Sequence, residues 1–115
     1  MAIDREMMRG SGVLAVLQLL SRREMYGYEL VTALSEQTAG ALDMGQSTLY
    51  PLLYNLEAKG WITSRTAESA EGRTRRYYAL TAAGRKELVR QRTDWQSLAR
   101  AMSALGVLDP VKGAR

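Results

Sequence analysis

Residues 45–62 read GQSTLYPLLYNLEAKGWI, and this stretch decides the fold. Its leucines follow the helical repeat and predict one buried face: Leu49, Leu52, Leu53 and Leu56. Because Pro51 is tolerated only in the first turn of a helix, we expect the helix to begin just before it, with Ser47 or Thr48 as its cap. Gly60 supplies the end. The stretch therefore predicts a short amphipathic helix that leads into a strand.

Two helices are predicted before this stretch. The first begins near Arg5 and has apolar residues over more than half of its circumference: Val13, Leu14, Val16, Leu17 and Leu20. Since one neighbour cannot cover so wide a face, we expect it to contact a partner subunit as well as its own domain. The second runs from about Gly27 to Thr38 and stops at Gly40, and the charged residues 21–26 separate the two.

A hairpin and a long helix are predicted after it. Residues 61–66 and 73–80 are rich in strand formers, and the small, polar residues between them predict a loose tip in which Gly72 has a positive φ. Thr81 caps the last helix, which we expect to end at Asp109–Pro110.

The order of three helices, a hairpin and a final helix predicts a mainly α (α+β) fold. We expect a winged helix-turn-helix DNA-binding domain over residues 1–82, whose third helix enters the major groove. A C-terminal dimerisation helix follows over residues 83–109, and residues 110–115 form a tail.

The composition excludes several classes of function. The 115 residues include no Cys and no His, which excludes disulfides, zinc fingers, haem ligation and His- or Cys-based catalytic dyads. We therefore expect no metal and no cofactor. The longest apolar stretch, residues 12–20, is too short to span a bilayer, and the N-terminus lacks the pattern of a signal peptide, so a cytoplasmic protein is expected.

The net charge of +4 is unevenly distributed. Residues 1–45 contain four basic and six acidic groups, whereas residues 46–90 contain eight basic and four acidic groups. The densest positive cluster is Arg-Thr-Arg-Arg at residues 73–76. Taken alone, this cluster is either a solvated basic hairpin or part of a nucleic-acid-binding patch.

Three segments together resemble the PadR family of bacterial transcription regulators: residues 45–62, GRTRRYYALTAAG at residues 72–84, and YGYEL at residues 26–30. With one long helix after the hairpin, the chain resembles the short-C-terminus branch, which includes multidrug-binding regulators. The resemblance implies a homodimer, most often a repressor, that releases its operator when a small planar aromatic or drug-like ligand binds.

The exposed face of the third helix is the predicted reader of double-stranded DNA. The side-chain amides of Gln46 and Asn55 are suited to base edges, and hydroxyls near the helix start are suited to phosphates. The residues predicted to contact DNA from this helix are Gln46, Ser47, Thr48, Tyr50, Asn55 and Lys59. Tyr54 is expected to pack at the junction between helix and hairpin.

The hairpin supplies the other predicted DNA contacts. Arg73 and Arg75 are expected on one strand face and Arg76 on the other. Arginines in this position suit the DNA backbone or a narrow minor groove, and they raise affinity and salt dependence more than sequence preference.

The last helix predicts a dimer interface. Its apolar residues are spaced by seven, three, four and three, as in a coiled coil, although Gln91 interrupts the pattern. A two-fold dimer of this kind fits a pseudo-palindromic operator. The predicted interface residues are Val13, Leu17, Leu88, Trp95, Leu98, Met102 and Leu105.

Trp95 is also the centre of a predicted effector site. It is either an interface aromatic or, as the resemblance implies, the tryptophan that stacks on planar ligands between subunits. The other residues of this predicted site are Met7, Met8, Ala15, Leu98 and Met102. The turn at residues 96–99 carries no carboxylate, which does not favour cationic drugs.

Two further classes of function compete with a DNA-binding regulator. A winged-helix protein-interaction module would need a neutral hairpin and a third helix poor in hydrogen-bonding groups, and this sequence has neither. An enzyme would need a cluster of catalytic groups or a phosphate-binding loop, and no spacing in the sequence suggests either.

Overall fold

The computed structural model describes residues 3–108 and confirms the predicted order of elements. Within those residues the elements are α1 (Arg5–Leu20), β1 (Met25–Tyr26), α2 (Gly27–Glu36), α3 (Gln46–Ala58), β2 (Ile62–Glu68), β3 (Thr74–Leu80) and α4 (Ala82–Leu105). The fold is mixed α+β and mostly helical, as predicted. We call β2, β3 and the turn between them the wing.

The sheet includes a strand that the sequence does not predict. The two residues of β1 pair antiparallel with Tyr78 and Tyr77 of β3, which gives the strand order β1-β3-β2. A strand of two residues is too short to produce an alternating pattern, and charged residues precede it. This strand joins the start of α2 directly to the wing.

The core lies where α1, α2, α3 and the sheet meet. Apolar burial is the main favourable term in folding, and the fully buried side chains come from all of these elements: Val16, Leu17, Leu30, Leu49, Leu53, Leu56 and Ile62. The predicted inward face of α3 is therefore confirmed, with Leu52 partly buried against the same cluster.

The start of α3 differs from the prediction. Gly45 is the N-cap in an extended conformation, and no side chain caps the helix, so the predicted capping by Ser47 or Thr48 is wrong. Pro51 lies in the second turn rather than the first. Since proline has no N–H, the carbonyl of Ser47 has no i+4 donor. The helix persists because core leucines flank the proline on both sides.

Two connections differ from the prediction. Helix α2 ends at Glu36, short of Thr38, and Gly40 follows with φ +85°. The tip of the wing is closed rather than loose, because the Ser69 amide donates to the Arg73 carbonyl at 2.7 Å. Gly72 has the predicted positive φ, at +81°.

Helix α4 has the predicted start and a different end. The Gly84 amide donates to the Thr81 hydroxyl at 3.0 Å, which confirms the cap. The helix ends at Leu105, and Gly106 closes it with φ +85° in the left-handed region that glycine favours. The predicted end at Asp109–Pro110 is therefore wrong for the helix, and residues 109–115, including the predicted tail, lie outside the described residues.

Within residues 3–108, no helix is both long enough and apolar enough to cross a membrane.

Candidate nucleic-acid interface

Helix α3 presents an exposed ridge directly opposite its buried leucines. Its members follow a spacing of four, three and four, and all of them are exposed: Ser47, Pro51, Tyr54 and Ala58. We call these four residues the outer ridge. The side chain of Tyr54 is 74% exposed, so the prediction that it packs against the hairpin is wrong. The helical repeat by itself predicts an exposed Tyr54, because this residue lies at least about 100° around the axis from each buried leucine.

One flank of α3 faces α2 and the wing. Tyr50 is 44% exposed, and its phenol ring packs against Gly27, the first residue of α2. A methyl group at Gly27 would lie only 2.8 Å from Cζ of Tyr50, so this glycine makes room for the ring. On the same flank the Ser64 hydroxyl donates to Glu57 Oε2 at 2.7 Å, which fixes α3 to β2.

The other flank of α3 faces α1 across an open groove of about 680 Å³. The lining residues are Ile3, Met8, Arg9, Val13, Asp43, Met44, Thr48, Leu52, Asn55, Leu56 and Lys59. The ammonium of Lys59 also lies 4.8 Å from the centre of the Trp61 ring. The flank of α3 that carries Thr48, Asn55 and Lys59 is therefore not the flank that carries Tyr50, although all four residues are predicted to contact DNA from one exposed face.

The N-terminal end of α3 is open. Its first turn contains no acidic residue, and Gln46, Ser47 and Thr48 are all exposed. The hydroxyl groups of Ser47 and Thr48 have no hydrogen-bond partner among the residues that the structure describes. The free N–H groups and the positive end of the helix dipole there are suited to an anion such as phosphate.

Of the three wing arginines predicted to contact DNA, two are exposed. Arg76 shares a strand face with Tyr78, and its guanidinium makes one long contact of 3.4 Å to the Ser64 hydroxyl. Arg73 lies just before β3. Neither guanidinium forms an ion pair within residues 3–108. Burial raises the pKa of the nearby Tyr78 hydroxyl, while Arg76 opposes that rise, so Tyr78 is a neutral part of the core.

Arg75 has a different environment from its two neighbours. Its side chain is only 24% exposed, its guanidinium lies 4.2 Å from the centre of the Tyr26 ring, and Glu71 is 3.4 Å away. The Tyr26 ring meets Tyr77 edge to face at 5.7 Å. Arg75 therefore fixes the wing to β1, and it does not share a strand face with Arg73, which precedes the strand. The sequence gives no signal for this, because Tyr26 is distant in the chain.

The same face of the wing has a second arginine that packs on a tyrosine. The Arg65 guanidinium lies 5.1 Å from the centre of the Tyr77 ring and forms an ion pair with Glu24. The hydrogen bond from Arg65 lowers the pKa of Glu24 and, in turn, raises that of Arg65. Both charges therefore stay paired on the side of the wing away from Arg76.

The predicted interface residues are divided between core and surface. Leu17 is fully buried and Leu88 nearly so within the chain itself, so neither offers surface to a partner, and the prediction that they form the interface is corrected. Val13 and Met102 are partly buried, whereas Trp95, Leu98 and Leu105 are exposed.

The predicted effector residues are not gathered into one pocket of the single chain. Met8 belongs to the core and lines the groove beside α1, but the other five do not line that groove. Met7 is exposed, Ala15 is partly buried, and Trp95 lies on the open part of α4. Within residues 3–108, no group of three acidic side chains is placed to hold a metal ion.

Comparison with known proteins shows which family this chain matches. Residues 16–90 match the Transcriptional regulator PadR-like family. The chain is 35% identical over 96 residues to the Transcriptional regulator Rv3488 of Mycobacterium tuberculosis, a match that covers 84% of this chain and 86% of that protein.

Two further similarities agree with this match. The Negative transcriptional regulator PadR of Bacillus subtilis is 32% identical over 74 residues, which are 64% of this chain and 41% of that protein. The crystal structure of a PadR family transcriptional regulator from Eggerthella lenta superposes with a TM-score of 0.75 and 32% identity, covering 87% of this chain and 85% of the other.

Proposed function

Since the chain belongs to the PadR-like family of transcriptional regulators, we propose that it is a homodimeric repressor that binds a pseudo-palindromic operator and is released by a small planar aromatic ligand. Residues 1–82 would form the DNA-binding part, and α4 would form the dimerisation helix. Membership of this family makes the protein a regulator rather than an enzyme.

The single observation that carries DNA binding is the presence of free donors both at the start of α3 and on the wing. The N-terminal end of α3, which no side chain caps, and the exposed side chains of Arg73 and Arg76 are available to phosphates, while Gln46 and Tyr50 are exposed in the first two turns of the helix. Donors of this kind position a helix on the duplex, and the exposed side chains of the helix then read base edges. The alternative of a protein-interaction module is not favoured, because it leaves these exposed donors unexplained.

Dimerisation is supported by the apolar surface of distal α4. Trp95, Leu98 and Leu105 are exposed in the single chain, and a continuous apolar stripe of this kind is typical of an interface. A two-fold dimer through this stripe would bring two α3 helices to successive major grooves, which are about 34 Å apart. The groove beside α1, with Val13 in its wall, offers a further apolar surface to the partner.

Ligand release is proposed on the same stripe. Trp95 supplies a planar ring for stacking, and Leu98 and Met102 stand about one and two turns further along the helix. A Trp95→Ala variant is expected to remain folded but to lose quenching of tryptophan emission by planar aromatics, with Trp61 as constant background. If the variant still responds to every such ligand, the proposed effector site is wrong.

Repression is supported by similarity to the Negative transcriptional regulator PadR of Bacillus subtilis. A reporter gene placed behind the bound operator tests it directly. Lower reporter output in the presence of the protein is expected, and higher output would indicate activation.

The experiment for DNA binding compares two kinds of wing arginine. The wild-type chain first selects a duplex from a random-sequence pool, which we call the selected duplex. The double variant Arg73→Ala/Arg76→Ala is expected to bind this duplex about tenfold or more weakly, because a dimer loses four cationic contacts. The slope of log affinity against log salt should fall by about three to four.

The control is Arg75→Ala, which removes one guanidinium per protomer, against two in the double variant, and removes it from a side chain held by Tyr26 and Glu71. Its salt slope should stay close to that of the wild type. Equal slopes for all three proteins would contradict the proposed role of the exposed arginines.

A further inference from the structure

The outer ridge of α3 is the part of the helix that projects furthest from the protein, because it lies opposite Leu49, Leu53 and Leu56. Among its members, only Tyr54 has a large side chain. That side chain is 74% exposed and has no hydrogen-bond partner within residues 3–108. If α3 enters a major groove, Tyr54 reaches the base edges first.

The chemistry of this ridge differs from that of the two flanks. Ser47 supplies one hydroxyl at the start, and the rest of the ridge is a pyrrolidine ring, a phenol ring and a methyl group, from Pro51, Tyr54 and Ala58. None of these is an amide or an ion, so the centre of the ridge is unsuited to bidentate hydrogen bonding with guanine or adenine. The apolar feature that a major groove displays is the C5-methyl group of thymine.

We propose that Tyr54 is a specificity-determining residue whose ring packs against a thymine methyl group in each half of the operator. This inference rests on the proposed DNA-binding function and assigns sequence preference to a residue outside the predicted set. Pro51 and Ala58, on either side of Tyr54 along the ridge, enclose the methyl group in apolar surface. Tyr50, one turn before Tyr54, is held against Gly27 and so keeps the helix surface ordered on that flank.

The test replaces thymines of the selected duplex by uracil, which removes only the C5-methyl group and leaves base pairing intact. For the wild-type chain, burial of one methyl group predicts about fourfold weaker binding when the contacted thymine is replaced. Replacement in both half-sites should weaken binding about fifteenfold.

Three variants identify the side chain responsible. Tyr54→Ala is expected to bind the thymine and uracil duplexes with equal affinity, whereas Tyr54→Phe keeps the wild-type ratio because the ring is retained. The matched control is Tyr28→Ala, since Tyr28 is the other highly exposed tyrosine of the helix-turn-helix and lies on α2, outside the ridge. It should keep the ratio whatever its overall affinity.

The outcomes separate this inference from the proposed function. A wild-type chain that binds both duplexes equally, a Tyr54→Ala variant that keeps the full ratio, or a Tyr54→Phe variant that loses it would overturn the role of the Tyr54 ring while DNA binding stands. If the wild-type chain enriches no duplex from the pool, the proposed function itself fails and takes this inference with it. Thermal melting of each variant confirms that the exposed substitutions leave the fold intact.

Discussion

The first two turns of α4 and its last four turns belong to one continuous helix but have different environments. Gly84 and Leu88 are buried against the body of the chain, whereas nearly every residue between Arg92 and Leu105 is exposed, including Trp95 and Leu98. The helix is about 36 Å long, so it extends well beyond the body. The first part is therefore a structural element of the domain, and the second has apolar surface that residues 3–108 leave exposed.

The largest effect is expected where α4 meets the body. A methyl group at Gly84 would overlap the carbonyl oxygen of Trp61, and that carbonyl accepts the Thr81 amide at 3.1 Å, so the backbone is held in place. We predict that Gly84→Ala lowers the free energy of unfolding by about 3 kcal/mol or more, as measured by urea denaturation.

The control for this substitution is Gly10→Ala in α1, where nothing lies within 4 Å of the added methyl group. Alanine there should be neutral or stabilising by about 0.5–1 kcal/mol, because glycine is a poor helix former. Equal effects of the two substitutions would mean that the close approach of α4 to Trp61 does not exist in solution.

The next effect is expected in the exposed part of α4 and concerns the proposed dimer. Leu98→Asp should leave the unfolding of the single chain nearly unchanged but raise the dimer dissociation constant at least about 100-fold, since two symmetry-related leucines lose their burial. Sedimentation velocity measures the shift from dimer to monomer.

The opposite side of the same helix provides the control for Leu98. Val89 is also exposed, and its distance of nine residues places it about 180° around the axis from Leu98. Val89→Asp should therefore remain dimeric. A monomer from Val89→Asp, or a dimer from Leu98→Asp, would show that the interface lies elsewhere.

The elements that the sequence predicts correctly are those specified by neighbouring residues. The buried leucines of α3 follow a local period, and the Thr81 cap depends on a donor only three residues away. Gly106 is an equally local signal and ends α4, whereas the predicted end at Asp109–Pro110 is wrong. Local signals therefore predict which segments are helical, although they misplace the cap of α3 and the ends of α2 and α4.

What the sequence could not predict depends on contacts between distant residues. Leu88 fits the spacing of the apolar residues along α4, yet it packs into the core. That spacing does not indicate how much of the helix packs against its own domain. In the same way, the sequence does not distinguish Arg75 from Arg73 and Arg76. The pairing of the two-residue strand β1 with β3 places the Tyr26 ring against the Arg75 guanidinium. The burial of Leu88 and the partial burial of Arg75 thus depend on the tertiary structure.

A smaller effect is expected from the cap at the start of α4. The Thr81 hydroxyl accepts from the Gly84 amide at 3.0 Å and donates to the Gly60 carbonyl at 2.6 Å. Thr81→Ala should lower the free energy of unfolding by about 1 kcal/mol in thermal or urea denaturation, whereas Thr81→Ser keeps both hydrogen bonds and should stay close to wild type. An alanine variant as stable as wild type would contradict a stabilising cap.

The smallest effect is expected at the boundary between the two parts of α4. Arg90 donates to Glu87 at 2.5 Å and to Asp94 at 3.0 Å, and so links the buried part of the helix to the exposed part. The hydrogen bond from Arg90 is the main cause that lowers the pKa of Glu87 from its ordinary value of 4.5. The Arg90 side chain is 62% exposed, so solvent screens the pair and we expect only a small contribution to stability.

The pH dependence of this pair follows from the direction of the pKa shift. Because the folded state holds Glu87 ionised more readily than the unfolded state, its contribution is fully present above the ordinary pKa and is lost as the pH falls through the lowered one. Glu87→Gln should therefore be slightly less stable than wild type at pH 7, and the difference should disappear in acid once the carboxyl is protonated in both states. Glu68→Gln is the control, since Glu68 forms no ion pair within residues 3–108, and its stability should match wild type at neutral pH. A Glu87→Gln deficit that persists unchanged in acid would place its cause in packing rather than in charge.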